Sequence, residues 1–189
     1  MQLFGTATSP FVRHCKIALA QTQQDYEFIS VDYATTASDS PMKKMPYLID
    51  KSLVLTDSTA IIMHVRQKAS TAAGGSAFLQ DVIDLELYTM ASTLLDTAVN
   101  LFLMEKDGIT PDNSSYLQRQ YDRLASGFKA LDKIVQPEQA LATDGHIRSA
   151  VLIDWIYFRK RYDLNGFDQL NALLKIAANN SIFKQSTPV

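Results

Sequence analysis

A single change of apolar rhythm constrains this chain more than any other feature. Before the small-residue run ASTAAGGSA at residues 69–77, short alternating segments are interleaved with segments of helical spacing; after it, every apolar repeat steps by three or four residues. A chain written this way is neither one continuous sheet nor one uniform bundle. It predicts a small α/β domain over residues 1–68, a linker over 69–77 and an all-helical domain over 78–189.

In the first part, residues 2–5 form a short strand-like segment, and Pro10 opens a helix over residues 11–21, where its missing N–H costs little. YEFISVDY at residues 26–33 alternates apolar and polar positions with aromatic and β-branched types, which predicts a strand. Residues 47–49 and 53–55 are two more short strands, joined tightly enough by Asp50, Lys51 and Ser52 for a hairpin. Thr56, Asp57 and Ser58 are capping types ahead of a helix over residues 59–68. The order is β-α-β followed by β-β-α.

In the second part, Leu79, Ile83, Leu87, Met90 and Leu94 share one helix face, and Leu117, Tyr121, Leu124, Phe128, Leu131 and Val135 share another. AVLIDWIYF at residues 150–158 is apolar nearly all round, as suits a central buried helix. Phe167, Leu170, Leu174 and Ala177 mark a last amphipathic one.

Charge and cysteine content narrow the function classes. With 18 Lys and Arg against 20 Asp and Glu, the chain has no basic surplus for nucleic acid or an anionic membrane, so neither is an expected partner. A lone cysteine cannot close an internal disulfide, which fits a reducing compartment. No signal-like start and no apolar stretch near the roughly 20 residues of a membrane span are evident, so the expected location is cytoplasmic. The three histidines lack metal-ligand spacing, so no metal is expected.

Three stretches carry chemistry. SPFVRHCKIAL at residues 9–19 puts Ser9 at a helix mouth and Cys15 nearly two turns inside, where cysteine serves as a small buried hydrophobe. Arg13, His14 and Lys16 form a basic cluster expected on a solvated face. A dithiol mechanism needs cysteines at positions occupied by Ser9 and Val12. SPMKKMPYLID at residues 40–50 contains Met45 ahead of Pro46. LTDSTAIIMHV at residues 55–65 sets Asp57 and Ser58 at a helix start, a place that favours an anion. Asp154, between Ile153 and Trp155, must be paired if buried, and Arg148 is a candidate partner.

In this order and spacing, the three motifs resemble those of the cytosolic glutathione S-transferase superfamily, in particular bacterial serine-type members, across essentially the whole chain. The resemblance implies a thioredoxin-like N-terminal domain followed by an all-helical C-terminal domain, the glutathione transferase fold. Ser9 falls on the catalytic serine, with Thr8 the substitute if the register shifts by one. Pro46 falls on a cis proline that turns the Met45 backbone toward the cysteinyl part of glutathione, and Asp57 and Ser58 fall on the pair that holds its γ-glutamyl end. The electrophile would lie against Phe11, Tyr88, Ser92 and Leu95.

The implied activity is conjugation, or other use of glutathione thiolate against a small electrophile, as in detoxification, by a homodimer. The alternatives are a non-catalytic binding or regulatory protein of the stringent starvation type, and a glutathione-dependent peroxidase or reductase. Two departures stand out. Only about a dozen residues separate Asp32 from Lys44, fewer than the family spends on its second helix. The family's capping box, Ser/Thr-x-x-Asp, falls by position at residues 146–149, which begin with His146 and end with Ser149.

Overall fold

A computed structural model of the protein describes residues 1–32, 40–73, 78–79 and 81–188. Its chain forms two compact units, Met1–Phe78 with Asn179–Val189, and Leu79–Ala178.

The first unit is built on a four-stranded sheet of order β2-β1-β3-β4, with β1 Gln2–Gly5, β2 Glu27–Ser30, β3 Tyr47–Asp50 and β4 Leu53–Leu55. β1 pairs parallel with β2 and antiparallel with β3, placing Phe4 opposite Tyr47, and β3 pairs antiparallel with β4, placing Leu48 opposite Leu55. Helices α1 (Pro10–Gln21) and α2 (Ser58–Ala73) complete a thioredoxin-like unit. Leu3, Val12, Cys15, Ala18, Leu19, Leu48, Ile61, Ile62 and Val65 are its fully buried apolar core. Strand and helix approach closely at Gly5, where a Cβ would stand 2.3 Å from Val12 Cγ2, so only glycine fits.

Two expectations change here. α2 runs on to Ala73, so the segment expected to link the domains begins as helix; residues 74–77 lie outside the described ones. The basic cluster is not a solvated face either. Arg13 is 2% and His14 0% exposed. Arg13 turns inward because the chain end returns to it: its guanidinium lies 3.9 Å from the Phe183 ring centre, Nη2 donates to Phe183 O (3.1 Å) and Nε to Ser186 Oγ (3.2 Å). These contacts attach residues 179–189, counted by apolar pattern with the helical domain, to the first unit instead. Lys16 extends over the Phe28 ring at 3.4 Å, and burial holds its ammonium pKa below the ordinary value.

The second unit contains α3 (Val82–Lys106), α4 (Ser115–Ile134), α5 (Asp144–Arg159) and α6 (Asp168–Ala177); a short helix α7 (Ser181–Gln185) follows in the first unit's terminal segment. Asp81 caps α3, its Oδ1 accepting from the N–H groups of Ile83 and Asp84 at 2.9 Å each. That start rotates the buried stripe to Asp84, Leu87, Tyr88, Ala91, Leu94, Leu95, Ala98 and Leu101. Ile83, expected inside, is 66% exposed, and Leu79 precedes the helix. By length and composition α3 would suffice to cross a membrane, contrary to the expectation of no such stretch; its buried stripe identifies it as the core helix of this unit. α4 buries Leu117, Leu124, Phe128 and Leu131 as its spacing predicts.

α5 is buried almost throughout, though Tyr157 and Phe158 at its end are exposed. Its cap lies three residues before the expected box. Thr143 Oγ1 accepts from His146 N–H, and His146 occupies the position that an acidic residue takes in the reciprocal capping pattern.

Candidate functional site

Strand register gathers three loops at one end of the sheet. β1 ends at Gly5 and leads through Thr6 to Ser9; β3 begins at Tyr47, opposite Phe4, so Met45 and Pro46 stand beside the end of β1. β4 ends at Leu55, opposite Leu48, and hands the chain to Asp57 and Ser58. The stacked pair Phe4 and Tyr47, with ring centres 4.4 Å apart, anchors this end of the sheet. The motifs quoted from the sequence, 36 and more residues apart in places, thus become neighbours through strand pairing alone.

Ser9 is the N-cap of α1. Its backbone is extended, its C=O accepts from Arg13 N–H at 3.0 Å, and its Oγ accepts from Val12 N–H at 3.4 Å. Pro10 at the first helical position needs no partner for an N–H it lacks. The hydroxyl of Ser9 therefore spends one acceptor position on the cap and keeps its proton for donation. It is partly exposed, as is Thr8, whereas Cys15 is fully buried and its thiol contacts Ser58 O at 3.9 Å. The lone cysteine is thus a core residue of this unit.

Asp57 opens α2. Its C=O accepts from Ile61 N–H at 3.0 Å, and its Oδ1 from Thr59 N–H at 2.8 Å. Its second oxygen meets Lys44 Nζ at 2.6 Å, an ion pair between half-exposed side chains. Burial pushes the Asp57 carboxyl up, but the hydrogen bonds from Lys44 and Thr59 outweigh it and hold the group below the usual carboxylate range. Ser58 is 6% exposed. Lys44 had no assigned role at the sequence level, although it stands within the quoted motif; the signal was its place two residues before Pro46. The Met45–Pro46 peptide bond is cis, and both side chains are buried. Before it, Lys43 adopts a left-handed backbone (φ 49°) in a turn closed by its N–H on Ser40 O at 2.9 Å. Most of the short segment expected after Asp32 falls in residues 33–39, outside the described ones.

The arrangement offers two helix N-termini, a hydroxyl and a carboxylate paired with an ammonium at one sheet end. Such a set binds a ligand carrying both an anion and a cation. Of the expected electrophile residues, one lies in the first unit and three on α3 in the second. Phe11 is half-buried on α1, in the first unit. On α3, Tyr88 and Leu95 are 3% and 0% exposed, so they face the interior because the Asp81 cap sets the helix phase; Arg148 Nη2 donates to the Tyr88 hydroxyl at 2.7 Å. Ser92 Oγ is shut from water. Among the described residues, no three of His, Cys, Asp or Glu are grouped to hold a metal ion.

Comparison with known proteins agrees with this geometry. Residues 3–73 match the family described as glutathione S-transferase, N-terminal domain. No curated protein sequence matches the chain. Among solved structures, a glutathione S-transferase of Methylobacillus flagellatus with glutathione bound superposes with a TM-score of 0.84 at 18% identity, covering 100% of this chain and 99% of that one. A glutathione transferase family member of Pseudomonas fluorescens, holding S-(propanoic acid)-glutathione, gives 0.80 at 20% identity over 100% and 99%. The nitrogen regulation fragment of the yeast prion protein Ure2p gives 0.76 at 16% identity over 98% and 94%.

Proposed function

We propose that this chain, whose residues 3–73 match the glutathione S-transferase N-terminal domain family and whose fold is that of the glutathione transferases, binds glutathione at the sheet end and directs its thiolate at a small electrophile. The observation that carries the proposal is the convergence of Ser9, the Met45 backbone and the Asp57–Ser58 helix start through strand register.

In this reading, the γ-glutamyl carboxylate takes the N-terminus of α2 and the Ser58 hydroxyl, and its ammonium takes Asp57, sharing or displacing Lys44. The Met45 N–H and C=O pair with the cysteinyl backbone as a strand would. The sulfur then comes to the mouth of α1. There the Ser9 hydroxyl, already accepting from Val12 N–H, donates to sulfur, and the helix dipole adds positive potential. Both effects favour thiolate over thiol, whose free pKa is about 8.5. The thiol proton leaves to solvent. The sulfur lone pair forms the bond to carbon while the displaced pair departs with the leaving group or, in an addition, shifts from the π bond to the neighbouring atom, which takes a proton from solvent.

Calorimetric titration with glutathione, wild type beside Ser58→Ala, tests the binding. No heat at millimolar glutathione refutes the proposal; loss of binding only in the variant supports it. Ser9→Ala is then expected to bind glutathione without the ultraviolet absorbance of thiolate at neutral pH, and unchanged absorbance moves the role to Thr8. A second reading, a regulatory protein that binds glutathione without conjugating it, is favoured by the likeness to the Ure2p fragment. Binding and thiolate formation with no turnover of standard chloronitrobenzene electrophiles would select it. Either reading carries a cytoplasmic homodimer, which light scattering of the purified chain tests.

A further inference from the structure

Glycine follows Asp or Asn at three places in the chain: Asp107–Gly108, Asp144–Gly145 and Asn165–Gly166. In any such pair the glycine nitrogen can close on the Cγ of the preceding side chain to form a cyclic imide, and glycine, lacking a Cβ, obstructs that closure least. What holds the nitrogen decides whether the ring forms.

At two of the pairs the nitrogen is held. Gly108, just past the end of α3, donates its N–H to Glu105 O at 3.1 Å. Gly145 lies in the first turn of α5, its N–H donates to Asp84 Oδ1 at 2.8 Å, and Asp144 before it is 3% exposed. Asn165–Gly166, in the turn between α5 and α6, is different. Both residues are exposed, and among the described residues neither the Gly166 N–H nor the Asn165 side-chain amide has a hydrogen-bond partner. A Cβ on Gly166 would meet nothing within 4 Å, and its φ of 84° is the left-handed backbone of a turn. One backbone bond spans that turn, from Phe167 N–H to Leu164 O at 3.2 Å, and Asn165 N–H donates to Asp163 Oδ1 at 3.0 Å. Asn165 is also the better electrophile of the three, because an amide carbon accepts a nucleophile that a carboxylate repels.

We infer that Asn165–Gly166 is a site of spontaneous covalent modification, deamidation through a cyclic imide. The Gly166 nitrogen loses its proton to solvent base, and its electron pair forms the bond to Asn165 Cγ. The Cγ–Nδ2 bond breaks, and the side-chain nitrogen takes a proton and leaves as ammonia. Water then adds to one imide carbonyl and the C–N bond there opens. Opening at Cγ leaves aspartate; opening at the main-chain carbon leaves isoaspartate, with the backbone running through the former side chain. The products differ in consequence. Aspartate places a negative charge ahead of the N-terminus of α6, where the helix dipole favours it. Isoaspartate adds a methylene to the backbone between two fixed points. One is Leu164, 0% exposed and accepting from Asn171 Nδ2 at 2.9 Å; the other is Phe167, whose ring centre stands 6.3 Å from those of Phe128 and Tyr162. The α5–α6 joint therefore loosens as the chain ages.

The test is to incubate the full chain, folded and in urea, at about 37 °C and roughly pH 7 and pH 9, and to map its tryptic peptides by mass. The peptide of residues 162–175 should gain about 1 Da at Asn165, ammonia lost and water gained, as two chromatographic products that form faster at the higher pH. Asn171 in the same peptide, its side chain engaged with Leu164 O, should stay unmodified in the folded chain. The rate at Asn165 should lie within about tenfold of the rate in urea, whereas isoaspartate at Asp107 and Asp144 should form at least tenfold more slowly in the folded chain than in urea. Asn165→Gln should abolish the gain, and Asn165→Asp should melt within about 1 °C of wild type while the aged isoaspartate fraction melts lower. A folded chain that reacts at Asn165 more than about tenfold slower than in urea overturns the proposal, because the turn then holds the amide as helix does elsewhere. A mass gain that survives Asn165→Gln overturns it as well, and an isoaspartate fraction that melts with Asn165→Asp overturns the loosening.

Discussion

Gly145→Ala probes the joint between α3 and α5 more sharply than any substitution of a large side chain. Gly145 is the second residue of α5, and its N–H donates to Asp84 Oδ1 at 2.8 Å. A Cβ there would stand 2.5 Å from that same oxygen, 2.7 Å from the backbone oxygen of Asp84 and 3.1 Å from Leu87 Cβ. The carboxylate could rotate away, but only by giving up its bond to Gly145 at a site where Asp84 is 5% exposed. The backbone oxygen cannot move without shifting α3. Overpacking costs about 1–3 kcal/mol, and a weakened buried hydrogen bond to a carboxylate costs a further 1.5–3. Alanine's better helix propensity returns less than about 1 kcal/mol. The net expectation is a destabilisation of roughly 2–4 kcal/mol, read as a lower urea midpoint at unchanged slope. For a chain of this size it lowers the thermal midpoint by about 5–12 °C. In an Asp84→Ala background the cost should shrink but persist, because the backbone clash remains. A Gly145→Ala protein within 0.5 kcal/mol of wild type refutes the reasoning.

Three further outcomes are expected. Asp50 Oδ2 accepts from Lys68 at 2.8 Å and from His64 at 2.9 Å, and these bonds, Lys68's first, bring its pKa down from 3.8 to about 2. Its contribution is therefore present above about pH 4 and lost as pH falls toward 2. After discounting for the half-exposed Lys68 it is about 1–1.5 kcal/mol, so Asp50→Asn should flatten stability between pH 4 and 2 in denaturant titrations. His146 accepts Gln136 N–H on Nε2 (3.3 Å) and pairs Nδ1 with Thr143 Oγ1 (2.9 Å), which fixes it neutral; burial lowers its pKa against the opposing pull of Asp84 and Glu138. Its stabilisation is complete above about pH 6.5 and declines below it, and His146→Gln should remove that slope from thermal midpoints measured between pH 7 and 5. Arg13→Met removes the hydrogen bonds of a buried guanidinium to Phe183 O and Ser186 Oγ and should cost at least about 2–3 kcal/mol, with earlier proteolysis in the terminal segment that includes Phe183. A variant as resistant as wild type would show that Arg13 does not hold the chain end.

What was legible in the sequence is what a few neighbouring residues decide. Ser9 before Pro10, and Asp57 with Ser58 before an apolar run, are caps by local chemistry, and each stands where its pattern put it. Met45 and Pro46 are adjacent in the chain, so the loop they form needed no distant information. The burial of Arg13 and His14 is not legible for the opposite reason. Three basic residues in four describe a solvated face unless something covers them, and what covers Arg13 is a helix 170 residues away. The same limit explains Tyr88 and Leu95. An apolar repeat fixes a helix but leaves its phase uncertain by a residue or two, and the Asp81 cap together with the Asp84–Gly145 bond set that phase. His146 is the instructive case. A search for an acidic residue three places after a Ser or Thr passes over it, because the position asks for a side chain that complements the cap, not for an acid as such. A neutral imidazole meets that need with one nitrogen on Thr143 and the other accepting Gln136 N–H. The substitution preserves the cap while making it sensitive to acid in a range where a carboxylate in the same place would not respond.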